Sequence, residues 1–239
     1  MSNGKPLALV TGGARRVGRA IVEKLAQAGF DVTFTYLTSE REAQELAGRI
    51  AGQAIRADLT DPASAVEQIA QAMSIRARRL DVLVNNASLY QPSPIDSTGL
   101  PQMRRLMAIH YESPLLLVQR LAPQLRASRG HIINMLDLLA ERPWPQYAAY
   151  CASKAALWNL TLSMARELAP EVTVNGIAPG VVEWPDDFPE PQRQEYLRRV
   201  PLGRAGTAQD VANLVHFLIT QGQYITGQVI RLDGGRWLT

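Results

Sequence analysis

Seven short apolar, β-branched runs recur along the chain, at Leu7–Val10, Val32–Tyr36, Ala54–Arg56, Leu80–Val84, His131–Met135, Val172–Asn175 and Val229–Leu232. Helical patterns separate them. Strand-length runs alternating with helices call for βαβ crossovers, hence a parallel sheet with helices on both faces. The expected fold is α/β: a doubly wound, seven-stranded parallel sheet, with 1–239 forming a single domain. Ligands of such sheets bind beyond the carboxyl ends of the strands, and every chemistry-bearing motif of this chain falls there.

A chain of 239 residues, 46% hydrophobic and 20% charged, buries a sizeable core and is not disordered. No apolar run approaches the ~20 residues that span a bilayer. The segment Met1–Lys5 lacks the apolar core of a signal peptide, and the lone Cys151 leaves no intramolecular disulfide to form, so the expected location is cytoplasmic. The net charge is +3, but the basic residues are scattered. Their densest cluster, Arg76 to Arg79, ends a predicted helix, where cations suit the dipole. Neither nucleic acid nor membrane is expected as a partner, and the basicity is free to serve an anionic cofactor. One compositional break, Val182 to Pro201, is rich in proline and acid. It reads as a functional loop over the substrate site or as a surface insertion.

Thr11-Gly12-Gly13-Ala14-Arg15-Arg16-Val17-Gly18 follows the first run and opens a helix whose apolar residues Val17, Ile21 and Leu25 lie four apart. A glycine-bearing turn between strand and helix offers free backbone N–H groups and a dipole to a phosphate. Arg16 stands where many such turns carry glycine, which implies that the arginine itself binds something. The second run ends Tyr36-Leu37-Thr38-Ser39, with no carboxylate to hold a ribose 2′-hydroxyl. Thr38 and Ser39 can instead donate to a 2′-phosphate, with Arg15 supplying charge, so NADPH is expected over NADH. The alternative for Arg15 is a solvated surface residue. Asp58, in Asp58-Leu59-Thr60, either meets an adenine amino group or caps a helix. Asn85-Asn86-Ala87-Ser88 ends the fourth run and either admits a ribose or is simply an asparagine-rich turn.

Tyr150 and Lys154 are four apart at the start of a helical pattern continued by Leu157, Leu160, Met164 and Leu168, which stacks them on one face. An ammonium near a phenol, together with a positive nicotinamide, favours the phenolate, so a lowered Tyr150 pKa and a role in proton exchange are expected.

With these residues in order, the chain resembles the short-chain dehydrogenase/reductase superfamily. The likeness rests on Thr11-Gly12 with Gly18, Asn85-Asn86-Ala87, Tyr150 with Lys154, Pro179-Gly180, and Ile225-Thr226-Gly227 with Asp233-Gly234-Gly235. It implies a Rossmann-like fold and a cofactor site that includes Val17, Leu59, Pro179 and Gly180 beside the residues above. Where the superfamily usually has serine, this chain has Asp137, thirteen positions before Tyr150. With Arg16 and the segment Asn86-Ala87-Ser88-Leu89-Tyr90, that departure resembles the pteridine and dihydromonapterin reductases. The resemblance implies catalytic Asp137, Tyr150 and Lys154, and a substrate site of Arg16, Ser88, Tyr90, Asp137 and Tyr150. Arg16 and Ser88 would also touch the cofactor. It further implies NADPH-dependent reduction of a dihydropterin of the monapterin or biopterin type, or dihydrofolate, by a homotetramer.

Local alternatives stay open: Tyr90 as a loop aromatic covering the core, Asp137 as a cap. His110 stands where many members place an asparagine near a relay water, and either holds that water or packs in the core. Cys151 reads as a small buried hydrophobe. Trp237 either covers a site or buries apolar surface. No metal is expected, because His131 and His216 lie apart from His110. The rival readings are a reductase of another carbonyl, such as a 3-ketoacyl thioester, and an NADPH-binding sensor.

Overall fold

The computed structural model describes residues 4–76, 79–184 and 188–239. Its strands are β1 (Leu7–Val10), β2 (Asp31–Tyr36), β3 (Gln53–Arg56), β4 (Val82–Asn85), β5 (His131–Met135), β6 (Thr173–Pro179) and β7 (Val229–Leu232). All pair in parallel, in the order β3-β2-β1-β4-β5-β6-β7. The order reverses between β1 and β4, and it is there that an open α/β sheet leaves a crevice for a ligand.

The helices are α1 (Arg16–Gln27), α2 (Glu40–Ile50), α3 (Pro62–Arg76), α4 (Leu100–Met107), α5 (Ser113–Ser128), α6 (Ala148–Leu168), α7 (Glu190–Arg198) and α8 (Ala208–Thr220). Alternate strand residues point to opposite faces. Leu7 and Leu9 join Ile69, Met73, Leu117, Leu121, Leu157 and Met164 in the core under α3, α5 and α6. Ala8 and Val10 join Ile21, Leu25, Leu46, Val211 and Val215 under α1, α2 and α8. Fully buried parallel strands read as continuous apolar runs, which is why they stood out in the sequence.

Two boundaries differ from expectation by more than one residue. Leu80 is buried but precedes β4, its N–H bonding Gln124 O rather than the ladder. β6 runs on to Pro179, beyond the expected Asn175. Gly176 breaks the apolar run because a Cβ there would meet Leu136 Cδ1 at 2.3 Å, so a loop-like residue sits inside a strand for packing reasons. The stretch 182–201 is not an irregular loop throughout, because α7 occupies half of it. Residues 185–187 of that stretch, 77–78 of the basic cluster and 1–3 of the N-terminus lie outside the described residues. Among the described residues, no helix is long and apolar enough to cross a membrane.

Candidate active site

The turn after β1 is tightly made. Gly12 has φ +64, and a Cβ there would press on Ala87 at 3.0 Å. Gly18 has no room at all, since its Cβ would stand 2.1 Å from Gly12 O. Asn86 holds the turn from beneath, its Nδ2 donating to Thr11 O at 2.9 Å and Gly12 O at 3.0 Å. Thr11 Oγ1 accepts in return from the N–H groups of Asn86 and Ala87. The turn and the end of β4 are thus one unit, with the first N–H groups of α1 aimed outward where an anion satisfies them.

Arg16 adopts φ +50, the left-handed conformation that glycine supplies without strain. Its guanidinium reaches across the cleft, Nε to Glu183 Oε2 at 2.8 Å and Nη2 to Glu183 O at 3.1 Å. Arg15 is solvated but not free: its Nη2 lies 2.6 Å from Glu42 Oε1. Both arginines stay more than half exposed, so these pairs are weak and exchangeable. Thr38 stands exposed after β2 and Ser39 is buried ahead of α2. Asp58 turns its Oδ1 to Thr60, accepting from N at 2.9 Å and Oγ1 at 2.7 Å, a local turn ahead of α3 and not the helix cap left open above. These hydrogen bonds hold its carboxyl below the usual range.

One cleft of about 680 Å³ joins Gly12, Arg15, Arg16, Val17, Gly18, Thr38, Ser39, Asp58, Leu59, Asn86, Ala87, Pro179 and Gly180 to Ser88, Tyr90, Asp137, Tyr150 and Lys154. Every residue expected at the site from sequence therefore faces the same space.

At the far end, Tyr150 Oη donates to Asp137 Oδ2 at 2.7 Å, while Asp137 Oδ1 accepts from Leu139 N at 2.9 Å and caps a short 3-10 turn, Leu138–Ala140. Asp137 thus both caps and reaches the phenol. Lys154 Nζ bonds Met135 O at 2.9 Å and lies 5.9 Å from the centre of the Tyr150 ring. This corrects the part of one expectation that rested on Lys154. Tyr150 is not poised as a phenolate; burial and the adjoining Asp137 push its pKa well above the ordinary value. Burial also raises Asp137, and it lowers Lys154 to about 8. The site therefore presents a protonated phenol.

Tyr90 stacks on Tyr147, centroids 4.8 Å apart, and meets Tyr150 edge-on at 5.0 Å. Tyr90 is 48% exposed, so it lines the cleft rather than covering the core. Trp144, Trp184, Phe188 and Tyr196 extend this aromatic wall. Trp237 lines the same cleft, under the Arg231 guanidinium at 4.3 Å. His110 is fully buried in a π-helical turn, Ala108–Glu112, that joins α4 to α5. Cys151 packs against Leu106 and Leu139 as a small apolar group, its thiol pushed up by burial. Among the described residues, no cluster of three His, Cys, Asp or Glu side chains is arranged to hold a metal.

Sequence reasoning missed Glu42, Glu183, Tyr147 and Ser153. Only Glu183 carried a signal, in the acidic break after β6.

The sheet order, the turn and the Tyr150–Lys154 helix define a dinucleotide-dependent oxidoreductase. A family model described as enoyl-(acyl carrier protein) reductase matches residues 12–236. Pteridine reductase 1 of Leishmania tarentolae is 32% identical over 280 residues, covering 98% of this chain and 97% of that protein. The 3-oxoacyl-[acyl-carrier-protein] reductase FabG of Staphylococcus aureus is 33% identical over 241 residues, covering 97% and 98%. A blue fluorescent protein from a metagenomic library, solved in complex with NADPH, superposes with TM-score 0.90 and 35% identity, 98% of each chain being covered. The chain belongs to the short-chain dehydrogenase/reductase family and is an NADP-dependent reductase. Its residues fit that cofactor: neither Gly12 nor Gly18 has room for a side chain, and β2 is followed by Leu37, Thr38 and Ser39 rather than by a carboxylate.

Proposed function

We propose that this reductase converts a 7,8-dihydropterin to its tetrahydro form, with monapterin- or biopterin-type rings preferred and dihydrofolate a candidate. The observation that carries the reading is the Asp137–Tyr150 hydrogen bond. A carboxyl oxygen at this point suits a ring bearing N–H donors, whereas a ketone or thioester carbonyl is served by a neutral hydroxyl. The aromatic wall around Tyr90 adds a stacking surface for a flat heterocycle.

NADPH, when bound, supplies the hydride. Gly12, Arg15, Arg16, Val17, Gly18, Thr38, Ser39, Asp58, Leu59, Asn86, Ala87, Ser88, Pro179 and Gly180 hold it, with Arg15, Thr38 and Ser39 at the 2′-phosphate. Tyr150 keeps its proton at neutral pH and gives it to the substrate; Asp137 accepts from the ring or refills the phenol, and Lys154 places positive charge beneath both. Arg16, Ser88 and Tyr90 orient the ring, and Glu183, Trp184 and Phe188 border it. We further assign the protein to the cytoplasm and to a homotetramer, assembled through α4 and α6, where Leu100, Met103 and Leu162 stand exposed.

The test is NADPH oxidation by purified protein offered dihydromonapterin, dihydrobiopterin, dihydrofolate and acetoacetyl thioester. Pterin turnover supports the assignment. Turnover of the thioester alone replaces it with the FabG-like reading. Light scattering on the same sample gives the subunit number.

A further inference from the structure

His110 stands in the middle of a chain of hydrogen bonds that opens into the cleft. Its Nδ1 lies 2.8 Å from Ser153 Oγ, and Ser153 Oγ lies 2.7 Å from Tyr150 O. Its Nε2 lies 2.8 Å from Ser88 Oγ and 3.3 Å from Leu89 N. Ser153 is fully buried, and Ser88 is exposed to the cleft.

The direction of this chain follows from its two fixed ends. A backbone carbonyl only accepts, so the Ser153 hydroxyl hydrogen goes to Tyr150 O and Ser153 Oγ accepts from Nδ1–H. A backbone N–H only donates, so Leu89 requires a lone pair on Nε2. The two ends agree on one neutral tautomer. Burial and the nearby Lys154 charge suppress the doubly protonated ring. The Ser88 hydrogen is then committed to Nε2, and only the oxygen lone pairs face the cleft.

We propose that His110 is a specificity-determining positioning residue: through its Nδ1–H tautomer it fixes Ser88 as a pure hydrogen-bond acceptor, so the ligand atom that meets Ser88 must be a donor. Serine ordinarily presents either polarity by rotating, and a substrate of the wrong polarity costs little. Here rotation would leave Nε2 with only the 3.3 Å Leu89 contact and set two lone pairs face to face at 2.8 Å, a loss of about tenfold in binding. Applied to the pterin reading above, the ring edge meeting Ser88 carries N–H or NH₂ at that point.

Two measurements test this, and the first is independent of the ligand. In ¹⁵N-histidine spectra of the full chain, assigned by difference from His110→Phe, His110 shows a protonated Nδ1 and an unprotonated Nε2 from pH 6 to 9. A protonated Nε2 overturns the proposal. The second uses 2,4-diaminopteridine and pteridine-2,4-dione, whose edges have the same shape and opposite donor–acceptor order. His110→Phe frees the Ser88 hydrogen and shifts the ratio of their dissociation constants about tenfold. The same substitution made in Ser88→Ala leaves the ratio unmoved. If His110 only fills space, both ligands weaken together and the proposal fails. Should His110→Phe not fold, Ser153→Ala removes the Nδ1 acceptor and shifts the ratio in the same sense. If neither ring binds wild-type protein, the pterin reading falls, and the nitrogen spectrum alone decides the role of His110.

Discussion

Tyr150 Oη and Asp137 Oδ2 are 2.7 Å apart, and the phenol is the donor. Burial raises both groups above their ordinary values, and the phenol keeps its proton at neutral pH, the state a reductase needs before its proton is delivered. Asp137→Ser is expected to lower pterin turnover by 10²-fold or more while NADPH affinity changes less than about threefold. Steady-state kinetics beside fluorescence titration of NADPH separate the two, and undiminished turnover removes Asp137 from the site.

Lys154 gives a stability signature. Its pKa falls from 10.5 unfolded to about 8 in the buried site. Between those values the unfolded chain binds the extra proton, so stability rises with pH across that interval, by roughly 3 kcal/mol at most. Asp137 has the opposite sign: its raised pKa makes stability fall as pH climbs past the ordinary carboxylate range. Urea melts at stepped pH check both, with Lys154→Met and Asp137→Asn each expected to flatten its own limb.

Arg16→Gly separates strain from binding. The substitution relieves a φ of +50 and is expected to stabilise the fold by up to about 1 kcal/mol, less the entropy glycine adds to the unfolded chain. The same change removes the Glu183 partner and the cation at the ring, so substrate KM is expected to rise about tenfold. Calorimetry and kinetics on one sample decide; a variant that is less stable and equally active contradicts both halves.

Arg15→Glu is expected to weaken NADPH by about ten- to a hundredfold and NADH far less. Because Glu42 competes for the same guanidinium, Glu42→Gln is expected to favour NADPH modestly. Equal losses for both nucleotides after Arg15→Glu place the 2′-phosphate elsewhere.

Gly18→Ala introduces a methyl 2.1 Å from Gly12 O and 2.6 Å from Asn86 Nδ2. The turn cannot yield without dragging β4, so a loss of about 1–3 kcal/mol and abolished NADPH binding are expected from thermal melts and titration.

Strands, turn and the Tyr150 helix were legible in the sequence because each is written in a local period: apolar runs for buried strands, glycines for the cradle, a four-residue step for a helix face. What escaped lay across the sheet. Arg15 meets a residue 27 positions away and Arg16 one 167 away, and an ion pair at such distance leaves no period to read. The Tyr150 pKa was misjudged for the same reason. Lysine in the same helix argued for a phenolate, but the carboxyl thirteen positions upstream and the exclusion of water count for more. His110 was legible as the replacement of an asparagine near a relay water, but its two serines and the Leu89 amide meet it only in the fold.

Asn85 and Asn86 are neighbours that look opposite ways. Asn86 grips the phosphate turn, while Asn85 Nδ2 donates to Asn134, whose own Nδ2 donates to Thr161 of α6. The nucleotide half and the proton-donating half therefore share one buried amide spine. The spacing between the phosphate turn and Tyr150 is set by the framework and not by the rim. The wall of Tyr90, Trp144 and Trp184 can drift to suit another ring without disturbing the reaction, so in this scaffold the choice of substrate and the chemistry performed on it can evolve apart.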